Sequence, residues 1–498
     1  MAAAPEYQET PDLQQIPLAG ALWRLAGEKR AIWHMPGHNG TKAWPRWLRD
    51  TLIEMDTTEM PATDDLNRPT GPARQAMELA AGAFGAGTTR FITSGTTAAI
   101  QIMLALACGR HGRLLLPRNV HQSVVHAAAL LDLDICWLDA SEFPDNLLPF
   151  SLLPMVTASA VEQALNRNPD CHAVLLTSPD YYGVCPELAA IADIVHRHGA
   201  LLLVDEAHGA HLTFGGDLLP EAALSAGADI CVQSGHKTLP VLTPGAMIHL
   251  SAAALSGSRI DAAGLDRLIP VFQTSSPSFP IAATLDYARA WLQTGGYQAI
   301  VRQLQYLDQF SADLPEGLSC SSRISGRDPL RLVIAVDADI TGISAGRLAQ
   351  RLAASGVEIE FADLTRLVLI PSLLQTEAAW QQLAVCLHQL AEDTGRKSGQ
   401  QTLMKSLETE WRFWLTARPA SAISPGDALL GTRQTRQVPL MQAAGLISAR
   451  SILPYPPGIP IIWPGEYLCT DRVDFLRRLM ENNISITGVD EQSLWVLA

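Results

Sequence analysis

Four stretches of the chain put reactive side chains directly behind apolar runs. Lys237 lies in "SGHKTLP" after "ADICVQ", and Asp205 follows "ALLLV" at the head of "DEAHGAH". "SGTT" (94–97) follows "RFI", and His121 lies in "PRNVHQS" after "RLLLP". The chemistry open to them differs. A lysine amine condenses with a carbonyl, and a carboxylate at a buried strand end needs a cationic partner. Gly95 lets a backbone come close to an anion, with Thr96, Thr97 and Ser234 adding hydroxyls beside free helix N–H groups. An imidazole at His121 offers a flat face to a ring, and His208 and His236 stand beside Asp205 and Lys237.

Each residue also has an ordinary role. Threonines cap helices, aspartates cap or pair, and most lysines are solvated. Taken jointly, a phosphate site, an aromatic shelf, a carboxylate for a ring nitrogen and a Schiff-base lysine describe pyridoxal 5'-phosphate.

These residues need a frame that brings strand ends together. From about residue 89, short apolar runs alternate with helical patterns: "RFITSG", "RLLLP", "DICWLD", "HAVLLTS" and "ALLLVDE", with "ADICVQS" and "AMIHL" following. Continuous apolar strands are covered on both faces, so an α/β fold with an open, mostly parallel sheet is expected. In such sheets ligands bind beyond the carboxyl ends of the strands. The expected division is an N-terminal arm with loops over 1–72, a cofactor-binding large domain over 73–315, a small α/β domain over 316–394 and a C-terminal α+β domain over 402–498. The loop "HMPGHNG" is either a structured arm or a contribution to a neighbouring site.

Bulk properties narrow the class. The 498 residues are 48% hydrophobic and 17% charged, a composition for packed domains rather than disorder. A net charge of −14 disfavours nucleic-acid binding. Eight scattered cysteines without a C-x-x-C pair suggest neither a metal site nor disulfides, so no metal is expected and a cytoplasmic location is. "MAAAPEYQETPDLQQ" lacks the apolar core of a signal peptide, and no run is long enough for a membrane helix.

The segments "MPGHNG", "DDLNRPTGP", "FITSGTTAAIQ", "PRNVHQSV", "TSPDYYGVC", "VDEAHGAH", "SGHKTLPVLT", "SSPS" and "PYPPGIPIIWPGE" make the chain resemble the prokaryotic ornithine/lysine/arginine decarboxylases. These are fold-type-I pyridoxal-phosphate enzymes, and the length resembles the family's shorter, Bacillus-like branch. The resemblance implies that Lys237 forms the internal aldimine and that Asp205 faces the pyridine nitrogen. It implies that Thr96, Thr97 and Ser234 hold the phosphate, that His121 stacks on the ring, and that His208 and His236 lie beside it. Glu466 would stand at the substrate end, paired with a basic side chain. By analogy the active site lies at a subunit interface, so a homodimer or higher homo-oligomer is expected.

Three positions depart from the family pattern: Asn39 where a lysine is usual, Gly235 where a threonine is usual, and "LTPGA" at 242–246. They leave substrate identity open. The expected reaction is α-decarboxylation of arginine or lysine, with ornithine third. An aminotransferase or other fold-type-I lyase, gripping the substrate carboxylate with Arg323, Arg327 or Arg331, is the alternative. A non-catalytic regulator of the same fold is another.

Overall fold

Seven strands form the central sheet: β1 (Thr88–Ile92), β2 (Arg113–Leu116), β3 (Asp134–Trp137), β4 (Ala173–Thr177), β5 (Leu201–Asp205), β6 (Ile230–Gln233) and β7 (Ala246–Leu250), in the order β1-β7-β6-β5-β4-β2-β3. The computed structural model describes residues 17–28, 30–40, 44–139, 143–392, 400–418, 420–455 and 457–498. The stretch "MAAAPEYQETPDLQQ" therefore lies outside the described residues. So does most of the linker at 395–401.

Every residue of β5 is buried, and the strand pairs in parallel with β4 and β6. Its side chains alternate between two cores. Leu201 and Leu203 pack with helices α1 (Gly95–Cys108) and α2 (Gln122–Leu131). Leu202 and Val204 pack with α3 (Ala158–Arg167) and α4 (Leu188–Arg197). This two-sided covering is why the strands read as unbroken apolar runs. Each buried leucine contributes roughly 1.5–3 kcal/mol, so both helical layers are firmly held to the sheet.

The exception to parallel pairing is β7, antiparallel to both β1 and β6. The connection at 234–245 carries only the short helical turn α5 (Gly235–Thr238). A parallel return needs a crossover of a dozen or more residues, usually a full helix. Between the sheets run helices Phe279–Trp291 and Tyr297–Ala312.

Four antiparallel strands make the smaller sheet: β8 (Leu318–Cys320), β9 (Leu332–Val336), β10 (Phe361–Ala362) and β11 (Arg366–Leu369), in the order β10-β11-β9-β8. Ala31–Trp33 pairs in parallel with Val357–Ile359, which ties the N-terminal segment to this region. Towards the C-terminus, Thr435–Pro439, Ser493–Leu497 and Val489–Asp490 form a three-stranded antiparallel sheet. Helix Gln400–Thr416 packs against helix Thr470–Glu481, with Trp411 and Phe475 buried at 6.5 Å between ring centroids. No helix among the described residues is long and apolar enough to cross a membrane.

Candidate active site

A cavity of about 280 Å³ opens where β1, β2, β4, β5 and β6 end. Gly95, Thr96, Thr97, His121, Asp205, His208, Ser234, His236 and Lys237 all line it. The strand-end rule applied to the sequence brings nine of its ten nominated residues to this one place.

The anion end is built by α1. Gly95 opens the helix at φ +83°, and a Cβ there would lie 3.3 Å from Pro244 Cβ, so the bare backbone suits the turn. The Thr96 and Ser234 hydroxyls are buried and hydrogen-bonded to one another. Thr97 is exposed at the rim. Ser94 precedes the helix without making a side-chain cap, so the first-turn N–H groups face the cavity mouth uncapped by it.

At the opposite end stands Asp205, 3% exposed, whose Oδ1 accepts from the Ala207 N–H at 3.1 Å. Burial raises its carboxyl pKa, while the Lys237 charge opposes that rise. Lys237 Nζ lies 3.0 Å from His208 Nε2. Burial pushes the Lys237 ammonium down to about 8, against the pull of Asp205. His121 caps α2, its Nδ1 accepting from the Ser123 N–H at 3.2 Å, and its ring borders the cavity. It therefore fills its ordinary capping role at the cavity wall. Burial first, then Lys237 and His126, hold the His121 imidazolium down to about 4. His236 Nδ1 is 3.1 Å from the Gly245 carbonyl, and burial likewise pushes that ring down to about 4.

Glu466 is not at the cavity, which corrects the expectation of a substrate-end carboxylate. It is 1% exposed, and both oxygens are taken: Oε1 pairs with Arg118 Nη1, and Oε2 accepts from Arg472 Nη1 at 3.0 Å. Two arginines close around one carboxylate because a lone buried charge is far costlier than a paired one. "PGE" reads the same in sequence whether its acid faces a substrate or an arginine.

Other residues at the site are not singled out by type, although "TSPDYYGVC" puts Thr177 and Tyr181 directly at a strand end. Tyr181 packs against the His208 ring at 4.7 Å between centroids, tilted by 57°. Thr177, at the end of β4, lines the cavity with a buried Oγ1 that has no partner among the described residues. Met35 and Tyr455 complete the wall from distant parts of the chain. Of the three arginines considered, Arg323 pairs with Asp308 at the surface and Arg327 donates to backbone carbonyls. Arg331 alone reaches the site, where its Nη2 is 2.6 Å from His208 Nδ1. Glu360 accepts from the Met35 N–H at 3.0 Å, and its charge acts on both Lys237 and Arg331.

The departures from the family pattern sit around the cavity. Asn39 Nδ2 donates to Gln375 Oε1 at 2.5 Å, away from the lining. A Cβ at Gly235 would lie 2.8 Å from Leu285 Cδ2, so a side chain at 235 would need that leucine to move.

A lysine, an acid and a hydroxyl-lined helix start at the strand ends of a doubly wound sheet define the fold-type-I architecture of pyridoxal-phosphate enzymes. Among these the chain belongs to the Orn/Lys/Arg decarboxylase family: residues 16–324 match the model of the family's major domain and 412–492 that of its C-terminal domain. It is 30% identical to an arginine decarboxylase of Bacillus subtilis, over 97% of each chain, and 29% identical to one of Bacillus anthracis over the same shares. Among solved structures it is similar to the lysine decarboxylase LdcF of Francisella novicida, with TM-score 0.74, 19% identity, and 96% and 80% of the two chains covered. The constitutive lysine decarboxylase of E. coli gives TM-score 0.72, 21% identity, and 98% and 82% coverage. The chain is thus a decarboxylase, which sets aside the reading as a non-catalytic regulator.

Proposed function

We propose that this enzyme removes the α-carboxylate of a basic amino acid, arginine or lysine before ornithine, with pyridoxal 5'-phosphate as its cofactor. The observation that carries the reading is the single cavity shared by Lys237, Asp205 and the Gly95–Thr97 turn. The donor set fits the group. The phosphate would meet Thr96, Thr97, Ser234 and the first N–H groups of α1. The unpartnered Thr177 hydroxyl and Asp205 lie at the ring end. When bound, the cofactor supplies a conjugated ring that takes up the electron pair left at Cα as carbon dioxide departs.

The chain's own residues do the rest. Asp205 would hold a proton on the ring nitrogen, in a dry site where the charge pair counts for more than in water. His121 and Ala207 line the cavity, where they would flank the ring. Lys237 would hold the cofactor by its Nζ until a substrate amine takes its place, and would be the group that returns a proton to Cα. His236 is the less suited donor, since its Nδ1 is held on the Gly245 carbonyl. Glu360, bonded to the N–H of the cavity-lining Met35, is better placed than Glu466 to answer a cationic side chain. The loop at 34–40 serves this chain's own cavity through Met35. A cytoplasmic homodimer is the setting that the composition and the family's architecture support.

Lys237→Ala should abolish turnover and the visible absorbance of the cofactor–lysine bond; a fully active variant would refute the assignment. Incubating the purified enzyme with arginine, lysine and ornithine, and identifying the amine formed, decides the substrate. Release of carbon dioxide without a keto-acid acceptor separates decarboxylation from amino transfer.

A further inference from the structure

His208 stands between an obligate donor and the reactive amine. Arg331 Nη2 lies 2.6 Å from its Nδ1, and Lys237 Nζ lies 3.0 Å from its Nε2. These two contacts constrain one another. A guanidinium has N–H groups only and no acceptor, so Nδ1 must present a lone pair to Arg331. A neutral imidazole without a proton on Nδ1 carries it on Nε2. An Nε2–H pointing at Lys237 needs a lone pair on Nζ, which an ammonium lacks. The opposite assignment, an ammonium donating to Nε2, puts a proton on Nδ1 and sets donor against donor at 2.6 Å. An imidazolium makes the same clash and adds a cation between two others.

We infer that Arg331 is a positioning residue which favours His208 as the Nε2–H tautomer and so shifts Lys237 towards the unprotonated amine. The inference rests on the reading of Lys237 as the residue that bonds the cofactor, and gives it a reason. Only the neutral amine can attack an aldehyde carbon: the nitrogen lone pair forms the C–N bond, the carbonyl oxygen takes up two protons and water leaves. Ordinary lysines, with pKa near 10.4, are almost wholly protonated at pH 7.

The arginine is built to stay in place. It is 1% exposed and follows directly on the turn at Asp328, at the start of β9. Gly183 packs against it so closely, at φ +87°, that a Cβ there would lie 2.7 Å from Arg331 Cβ. Tyr181 packs beside the imidazole, its ring tilted 57° at 4.7 Å between centroids. Asp205 and Glu360 favour the charged amine, while Arg331 disfavours it. His121 and His236 also face this amine.

The test measures the amine rather than turnover. The full-length chain, stripped of cofactor, is labelled with trace acetic anhydride across pH 6 to 11. The acetylated fraction at Lys237 is read by peptide mass spectrometry against the exposed Lys405. In the native chain the reactivity of Lys237 should rise through a midpoint near pH 8. Arg331→Met should raise that midpoint by at least one pH unit, about tenfold less free amine at pH 7, and Arg331→Lys, which keeps a donor, should restore most of it. Through-space charge alone is separated by His208→Phe, which leaves Arg331 in place: the inference requires the midpoint to rise there too, and an unchanged midpoint overturns it. Should the Arg331 variants not fold, nitrogen-15 histidine spectra of the native chain decide, because a proton found on His208 Nδ1 is incompatible with the inference. A failure of the amine measurement with decarboxylation intact defeats this inference alone, whereas a fully active Lys237→Ala variant defeats the functional reading beneath it.

Discussion

The Gly37 N–H donates to the His236 carbonyl at 2.7 Å, so the N-terminal loop "HMPGHNG" is bonded to the residue next to Lys237. The Gly37 carbonyl in turn accepts from the Ser372 hydroxyl at 2.6 Å. One backbone unit therefore links the α5 turn, which carries Lys237, to the region of the smaller sheet.

Gly37 has no room for a side chain. A Cβ there would lie 2.8 Å from both the Leu239 carbonyl oxygen and the Thr238 carbonyl carbon. Gly37→Ala should push the α5 turn away and weaken cofactor affinity at least tenfold, read by titrating pyridoxal phosphate into the stripped enzyme. Gly27→Ala, where nothing lies within 4 Å, should leave the affinity unchanged.

The cluster of Glu466, Arg118 and Arg472 makes a stability prediction. Glu466→Gln leaves two buried arginines without their carboxylate, and breaking such a cluster by removing one partner costs about 3–5 kcal/mol. Denaturant unfolding should show that loss, while the relative preference for arginine over lysine stays as it was. A changed preference in a stably folded variant would return Glu466 to the substrate.

The hydroxyls around the anion end should not be equivalent. Thr96 is buried and bonded to Ser234, whereas Thr97 is exposed. On the proposed reading Thr96→Val would remove a charge-assisted contact to the phosphate and leave the Ser234 hydroxyl short of a partner, so a cofactor dissociation constant about tenfold higher is expected. Thr97→Val should have the smaller effect of the two, as measured by equilibrium dialysis.

His249 sets a pH limit on folding. It is fully buried between the Thr89 hydroxyl at 2.8 Å and Gln233 Oε1 at 3.2 Å, and burial pushes its imidazolium down to about 3. In the unfolded chain the ring binds a proton near pH 6.5. Between these values the unfolded state holds more protons, so stability is present above pH 6.5 and is lost as pH falls towards 3. At pH 5 this one ring should cost roughly 2 kcal/mol relative to pH 7.5. His249→Gln should flatten the fall in urea midpoint over that range; an unaltered slope would assign the effect elsewhere.

Much of the site could be read along the chain because a doubly wound sheet turns sequence order into spatial order. Lys237, Asp205, His121 and the Gly95–Thr97 turn are each local to a strand end, and strand ends converge. The antiparallel β7 was less visible, since "AMIHL" is as apolar as its parallel neighbours and direction leaves no mark in composition. Glu466 misled for a related reason: a carboxylate's partner lies in another segment, here at residues 118 and 472.

The sequence by itself determined the fold class, the family and the set of groups that could hold a flat, phosphorylated aldehyde, because periodicity and strand-end residues are local properties. Only the tertiary structure decided which charges are spent on one another and which remain for chemistry. Arg331 is 123 residues from His208 in sequence, yet their nitrogens lie within hydrogen-bonding distance. The proton that each nitrogen carries follows from that approach, and nothing short of the folded chain brings it about.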